Sequence, residues 1–513
     1  MKTTRLLMTC VLLTVIFSCR KTDTPLRSTL PGGDQATSVI PKARINAFIK
    51  AAVQHDGAFK WQTASDSIAW SALVQGDSVL SVGYQPQGFT GLDKKIHAID
   101  LHSTEWKAAK AQVLLLILEN EKKAGAVVTE KDIVVADDGK LPVINVKASR
   151  FSTVNALRRS PLVRYAEPIG YGAFMEEGPA TFARANSSIL TFGCGSNAAN
   201  TSLVAGVDYT NITPGAKQSW NLSYHKIPQA WTRSTGSGVK VMIIDTGVSP
   251  DQPNLGSLFN QGASSGRTIE KLVTFSGATP ADECGHGTRM AGVLAAPRGI
   301  NGNGAGIAYN ASLVTVHAAE NVVILSTSAV QGVTAAYTLG ADNPAVKIIS
   351  MSMGTIFDFG QIEDAIKYAY NKQKLMFCAA GTTNSFFTGF VGVIFPASLP
   401  EVQAVTGIKD NLTTACVDCH TGAEVDFVIV MEKVSTGKNP LTSAMSGDVP
   451  STVGGSSVAT ASCAGIAALV WSKHPSDTRD AIIERLRAAS SFANNKHSKF
   501  GWGIIDANAA VGQ

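Results

Sequence analysis

Charge is scarce in this chain. Asp, Glu, Lys and Arg together make up 16% of its 513 residues, and aromatic residues only 7%. No basic cluster and no interleaving of basic with aromatic residues occurs. The net charge of +5 is too mild to hold a polyanion, so nucleic acid is excluded as a partner. No sequence repeat and no long low-complexity tract is present, which excludes repeat arrays. Beyond the first twenty residues, no apolar run reaches membrane-spanning length. What is present is a hydrophobic content of 45%, that of an ordinary core-forming protein, in a length that suggests roughly three domains.

The N-terminus carries its own signal. Lys2 and Arg5 precede the largely apolar run from Leu6 to Phe17, followed by Ser18-Cys19. A positive start, a short apolar stretch and a small residue before cleavage make a secretory signal over residues 1–18. Ile16-Phe17-Ser18-Cys19 resembles a bacterial lipobox, with Cys19 as the lipidated residue. Acyl chains there would hold the exported protein at a membrane, each buried methylene contributing about 0.8 kcal/mol. The implied location is the bacterial cell envelope, periplasmic or surface-exposed, with release after processing.

Composition and periodicity divide the rest. Residues 19–40 are a polar tether, and 41–92 a small α+β segment. Within it the spacing of Ile45, Phe48, Ile49 and Val53 predicts a helix, and Ser67–Val74 with Ser78–Tyr84 predicts a hairpin about Gln75-Gly76-Asp77. Residues 93–168 show a strand at His97–Leu101 and a long helix from Ser103. Two strands follow about Asp137-Asp138-Gly139, then a short helix and a last strand at Val163–Ala166. That order, βαββαβ, is the ferredoxin-like split motif. Residues 169–215, rich in Gly, Ala, Ser, Asn and Thr, form a linker or processing region. From 216 to 513 short apolar strands recur at 239–244, 313–316, 346–349, 375–380 and 402–405, with helical stretches between them. The expected fold class is therefore α/β: a parallel sheet with helices on both faces, preceded by a small α+β domain.

Three places carry chemistry. Val241-Met242-Ile243-Ile244-Asp245-Thr246-Gly247 puts a carboxylate at the end of a buried strand. Cys284-Gly285-His286-Gly287-Thr288 puts an imidazole between glycines at a helix start. Gly454-Gly455-Ser456-Ser457-Val458-Ala459-Thr460 presents a hydroxyl where a helix begins. Unpaired N–H groups and the helix dipole favour negative charge at such a place. A serine hydroxyl needs a base, and the base needs an orienting acid; Ser457, His286 and Asp245 supply those parts. The order of the three, with Asn303-Gly304-Ala305-Gly306 and Gly501-Trp502-Gly503, resembles the subtilisin-like serine proteases (subtilases), over about 216–510.

The resemblance implies a serine endopeptidase of the subtilisin-like fold acting on protein or peptide substrates through an acyl-enzyme. It also implies substrate-binding walls at Ser352, Met353, Gly354 and at Ala379, Ala380, Gly381, with Thr355 narrowing the pocket. The family places an Asn oxyanion donor directly after that last glycine. Here Thr382 fills the slot, and Asn384 follows two residues on; these two are the oxyanion candidates, beside the N–H of Ser457. Leu157 to Pro168 resembles the end of subtilisin propeptides, which implies that 93–168 is an inhibitor-like prodomain and a partner of its own catalytic domain.

No cofactor is expected. Some subtilases hold calcium, and Asp251 and Asp282 are the residues that would serve, but no motif demands it. No metal site is expected either. Of eight cysteines, six remain after Cys10 and Cys19, and spacing alone does not choose their pairing. Cys194 with Cys284 is the preferred pair. Cys416-Val417-Asp418-Cys419-His420 has haem-attachment spacing, read first as a small disulfide loop or free thiols and then as a metal site. Cys378 and Cys463 read as buried thiols. The alternative to the enzyme is a scaffold lipoprotein that keeps the fold with feeble catalysis. An α/β-hydrolase esterase is disfavoured because no Gly-x-Ser-x-Gly elbow surrounds Ser457.

Overall fold

In the computed structural model of the chain, the residues described are 38–122, 128–173, 193–195, 197–382 and 392–513. The secretory signal, Cys19 and Asn384 lie outside them.

Two sheets organise the molecule. The first has four strands: β1 (Val79–Tyr84), β2 (Val134–Ala136), β3 (Val143–Lys147) and β4 (Val163–Pro168), in the order β2-β3-β1-β4. Every pairing in it is antiparallel, with Leu80 opposite Val146 and Val82 opposite both Ile144 and Ala166. Its four longer helices are α1 (Lys42–Asp56), α2 (Asp66–Gln75), α3 (Thr104–Glu121) and α4 (Phe151–Arg159), beside single turns at Leu92–Lys95 and Glu130–Ile133. From β1 to β4 the succession is β-α-β-β-α-β, so the split motif is present with a different first strand. Residues 97–101 form no strand. There the Asp100 carboxylate accepts from His102 N–H (2.9 Å), which bends the chain into the start of α3.

The hairpin expected around Gly76 is also replaced. Residues 67–74 lie in α2, because Ser65 caps the helix by accepting from Ile68 N–H, and Ile68, Ala69, Ala72 and Leu73 bury one face. The strand expected at 78–84 becomes β1, which pairs between β3 and β4. A boundary at 92/93 thus falls between β1 and the strands it pairs with.

The second sheet has seven strands: β5 (Lys240–Asp245), β6 (Ile269–Val273), β7 (Ser312–His317), β8 (Val346–Met351), β9 (Leu375–Ala379), β10 (Gln403–Lys409) and β11 (Val425–Glu432). All are parallel, in the order β11-β10-β9-β8-β5-β7-β6. Parallel strands covered on both faces read as apolar runs, and five of the seven do. The other two escape that pattern. β6 is a half-buried edge strand with charged Glu270 and Lys271. β11 is buried throughout but carries Asp426, whose carboxylate accepts from Ala404 N–H (3.0 Å) and pairs with Lys496 (3.1 Å).

Helices α5 (His286–Ala295) and α8 (Ser456–Lys473) pack together on one face. Helices α6 (Thr327–Asp342) and α7 (Gly360–Asn371) cover the other. The strand order reverses direction at β5, with β6 and β7 on one side and β8 to β11 on the other. In such sheets ligands bind beyond the carboxyl ends of the strands at that reversal. β5 ends at Asp245.

The four-stranded unit docks on α6 and α7. A single apolar core runs from Ile45, Leu80 and Ile144 through Val333, Tyr337 and Ile366 to Ile349 of the larger sheet. Phe59 N–H donates to Ile356 O (2.7 Å), and Asp358 N–H to Phe59 O (2.9 Å). Among the described residues, no helix is long and apolar enough to cross a membrane.

Candidate active site

Strand β5 delivers Asp245 into the interior, where it is 1% exposed. Its Oδ1 meets His286 Nδ1 at 2.7 Å and accepts from Thr246 N–H at 2.8 Å. His286 is the first residue of α5 and 4% exposed. The structure therefore brings the expected acid and the expected imidazole into direct contact, with water excluded.

A second buried carboxylate ties this pair to its surroundings. Asp282 Oδ1 accepts from Thr246 Oγ1 (2.8 Å), Cys284 N–H (3.1 Å) and Gly285 N–H (2.7 Å). Its Oδ2 accepts from Thr288 N–H (2.8 Å) and Thr288 Oγ1 (2.6 Å). With five donors on it, Asp282 joins the loop after β5 to the start of α5. Sequence reasoning treated it only as a calcium candidate. Its position four residues before His286 was the available clue to this role.

Ser457 is the second residue of α8, after Gly455 in the left-handed region (φ 89°). Its N–H is among the first four of the helix, which have no partner within it. Its Oγ donates to Ser352 O (3.3 Å), and Ser352 Oγ donates to Ser457 O (2.8 Å). Among the described residues, the hydroxyl makes no hydrogen bond to the His286 ring. The helices carrying the two residues are nevertheless packed against each other.

Thr382 lies beside this helix start, its Oγ1 3.0 Å from Ser456 Oγ. Ser457 and Thr382 open on a small cavity of about 40 Å³. Five of the six expected wall residues line it: Ser352, Met353, Gly354, Ala379 and Gly381. Ala380 is buried behind the wall, and its carbonyl holds Ile394 N–H at 3.0 Å. Thr355 lines it too, with Ile394 and His420, which sequence reasoning did not assign. Burial lowers the pKa of His420 and favours the neutral ring. A second cavity, of about 290 Å³, borders Thr246, Cys284 and His317.

The cysteines divide as follows. Cys194 and Cys284 form a disulfide, and so do Cys416 and Cys419, while Cys378 and Cys463 are free and buried. Burial pushes the Cys378 thiol up to about 12, so it stays protonated. The bridge to Cys284 holds residues 193–195 against α5, where Gly195 N–H donates to Cys284 O (3.2 Å). Among the described residues, no group of three or more His, Cys, Asp or Glu is arranged to hold a metal ion.

Comparison with known proteins follows the same residues. The model of the subtilase family (peptidase S8) matches residues 236–503. Thermitase of Thermoactinomyces vulgaris is 30% identical over 289 residues, covering 55% of this chain and 92% of that protein. Subtilisin BL of Lederbergia lenta is 30% identical over 297 residues, 57% of this chain and 98% of its own. Among solved structures, MycP1 from Mycobacterium smegmatis aligns with a TM-score of 0.46 at 21% identity, over 59% of this chain and 87% of that one.

Proposed function

Because the chain belongs to the subtilase family and is a subtilisin-like serine protease, we propose that it cleaves peptide bonds through Asp245, His286 and Ser457. The observation that carries this reading is the buried 2.7 Å contact between Asp245 and His286, on the helix packed against the one that carries Ser457 in its first turn. Asp245 fixes the imidazole with its Nδ1–H toward the carboxylate, leaving Nε2 as the base. For reaction the Ser457 hydroxyl turns from Ser352 O to that nitrogen, gives up its proton and attacks the substrate carbonyl. The oxyanion is met by Ser457 N–H and the Thr382 hydroxyl. The proton then passes from His286 to the leaving amine, and water hydrolyses the acyl-enzyme by the same route.

The four-stranded unit acts as the prodomain, an inhibitor of its own catalytic domain. It is cut away within 169–215. The protein is exported and held by lipid at Cys19 until that cut, so processing frees the protease from its anchor. Export agrees with the relatives, one of which is named a minor extracellular protease of Bacillus subtilis. The Cys194–Cys284 bridge keeps the distal piece of the linker on the catalytic domain, and it retains the anchor only if the cut lies after Cys194.

A fluorophosphonate probe tests the catalytic assignment: labelling of wild type that disappears in Ser457→Ala is the expected result. One observation favours a second reading, a weakly catalytic scaffold: Ser457 Oγ is turned to Ser352 O. Correctly processed protein that takes no label would decide for the scaffold.

A further inference from the structure

The cavity beside Ser457 is small, and its size bears on what the enzyme cuts. An engineered apolar cavity of about 150 Å³ binds benzene. At about 40 Å³ this cavity is far smaller. Two of its lining residues, on separate loops, press in where its walls have no side chain.

The first is Ile394. Its N–H donates to Ala380 O on one wall (3.0 Å), and the next carbonyl, Phe395 O, accepts from Thr355 N–H on the other (2.9 Å). The main chain is thereby stitched across the floor, and the β-branched side chain has few rotamers. Ile394 Cδ1 reaches to 2.5 Å from the point where a Cβ on Gly354 would lie, so it fills the space opposite the wall that has no side chain.

The second is His420, 1% exposed. Its Nδ1 lies 2.4 Å from where a Cβ on Gly381 would sit, and its N–H donates to Gly381 O (3.0 Å). Thr406 Oγ1 holds its carbonyl at 2.6 Å, and the Cys416–Cys419 bridge closes the loop just before it. In both cases hydrogen bonds anchor the main chain that carries the side chain.

We infer that the protease accepts only a small side chain — Gly, Ala or Ser — on the residue whose carbonyl Ser457 attacks, and that Ile394 sets this limit. The inference rests on Ser457 being the nucleophile. With the carbonyl oxygen turned to the start of α8, that residue's side chain enters this cavity. Each methylene that a pocket accepts or refuses changes kcat/KM by about 10- to 200-fold.

The test uses the full chain and succinyl-Ala-Ala-Pro-Xaa p-nitroanilides, with Xaa Gly, Ala, Leu or Phe. Wild type is expected to favour Ala over Phe by about 100-fold or more in kcat/KM. Ile394→Gly should move that ratio toward Phe by a similar factor, and Ile394→Ala by about tenfold. If Ile394→Gly fails to fold, Ile394→Ala gives the answer. For an enzyme too slow to assay, peptide aldehydes ending in Ala or Phe are compared for protection against fluorophosphonate labelling, with the same order expected. Wild type that labels at Ser457 yet handles Phe as well as Ala overturns the inference and leaves the nucleophile standing. So does an unchanged ratio in both variants. Protein that takes no label at Ser457 overturns the nucleophile, and the inference with it.

Discussion

Helices α6 and α7 lie between two sheets that hold them by different means. Toward the seven-stranded sheet the contacts are mainly apolar: Val333, Tyr337 and Ile362 share a core with Met242, Ile349 and Met351, and Tyr337 OH lies 3.3 Å from Cys378 Sγ. Toward the four-stranded sheet, buried charge is added. Arg164 makes two bonds to Asp364 (2.8 and 2.6 Å), and Tyr165 OH donates to the same carboxylate (2.7 Å). Glu167 Oε2 accepts from Gly360 N–H (2.9 Å) at the start of α7. Ser81 Oγ donates to Gln361, whose amide donates on to Thr334. An apolar face separated from water stays buried, whereas polar groups that satisfy one another can be rehydrated when an interface opens. More polar contacts mark surfaces that part. The larger sheet meets these helices mainly through the shared apolar core, and the smaller one adds buried polar pairs to it.

The sharpest break between the two regions comes from Ser457→Ala. It should remove on the order of 10⁶ in kcat, the size of loss known for the nucleophile of subtilisin, while both sheets remain folded. N-terminal sequencing of the same variant asks whether the linker is still cut. A cut beyond residue 169, identical to that of wild type, would sink self-processing.

Next in size is Thr382→Val, expected to lower kcat by about 10²–10³ with little change in KM, because one oxyanion donor is lost. An unchanged kcat would remove the Thr382 hydroxyl from the mechanism.

On the docking side, Asp364→Ala leaves Arg164 buried without its counter-charge, which costs about 3–5 kcal/mol. The cost should fall on docking alone. Amide exchange should quicken in Val79–Tyr84 and Val163–Pro168, whereas β5 and β8 should keep their protection. Equal loosening of both sheets would erase the distinction drawn between them.

The last break is a pH dependence. Burial raises the Glu167 carboxyl from about 4.5 up to about 8, against the opposing bonds from Gly360 and Gln62. A docked group with a raised pKa takes up a proton on docking at any pH between the two values. Docking is therefore fully favoured below about 4.5, weakens as pH rises, and has lost this contribution above about 8, by up to about tenfold per pH unit. Glu167→Gln should flatten the profile between pH 5 and 8. A variant whose docking keeps the wild-type slope would assign the dependence to another group.

How much of this could be read from residues alone varies with how local the cause is. Five strands of the large sheet are legible because a strand covered on both faces must be apolar along its whole length. β6 is missed because an edge strand keeps Glu270 and Lys271, and β11 because Asp426 finds its partners on other elements. The run 67–74 reads as a strand until Ser65 is seen to cap it. Thr382 and the wall residues were legible through short motifs. Ile394 was not, since an isoleucine two residues before a proline carries no mark of what it faces.

By itself, the sequence determined the kind of chemistry on offer: an acid after an apolar strand, an imidazole between glycines, and a hydroxyl at a helix start each need only their near neighbours. It also determined that a parallel sheet would carry them, because hydrophobic period is a local property. Tertiary structure alone decided which carboxylate touches the ring, that β1 completes the small sheet, and how much room remains beside Ser457. Those outcomes depend on van der Waals contact between segments far apart in the chain, and a cavity's volume is what such segments leave unfilled.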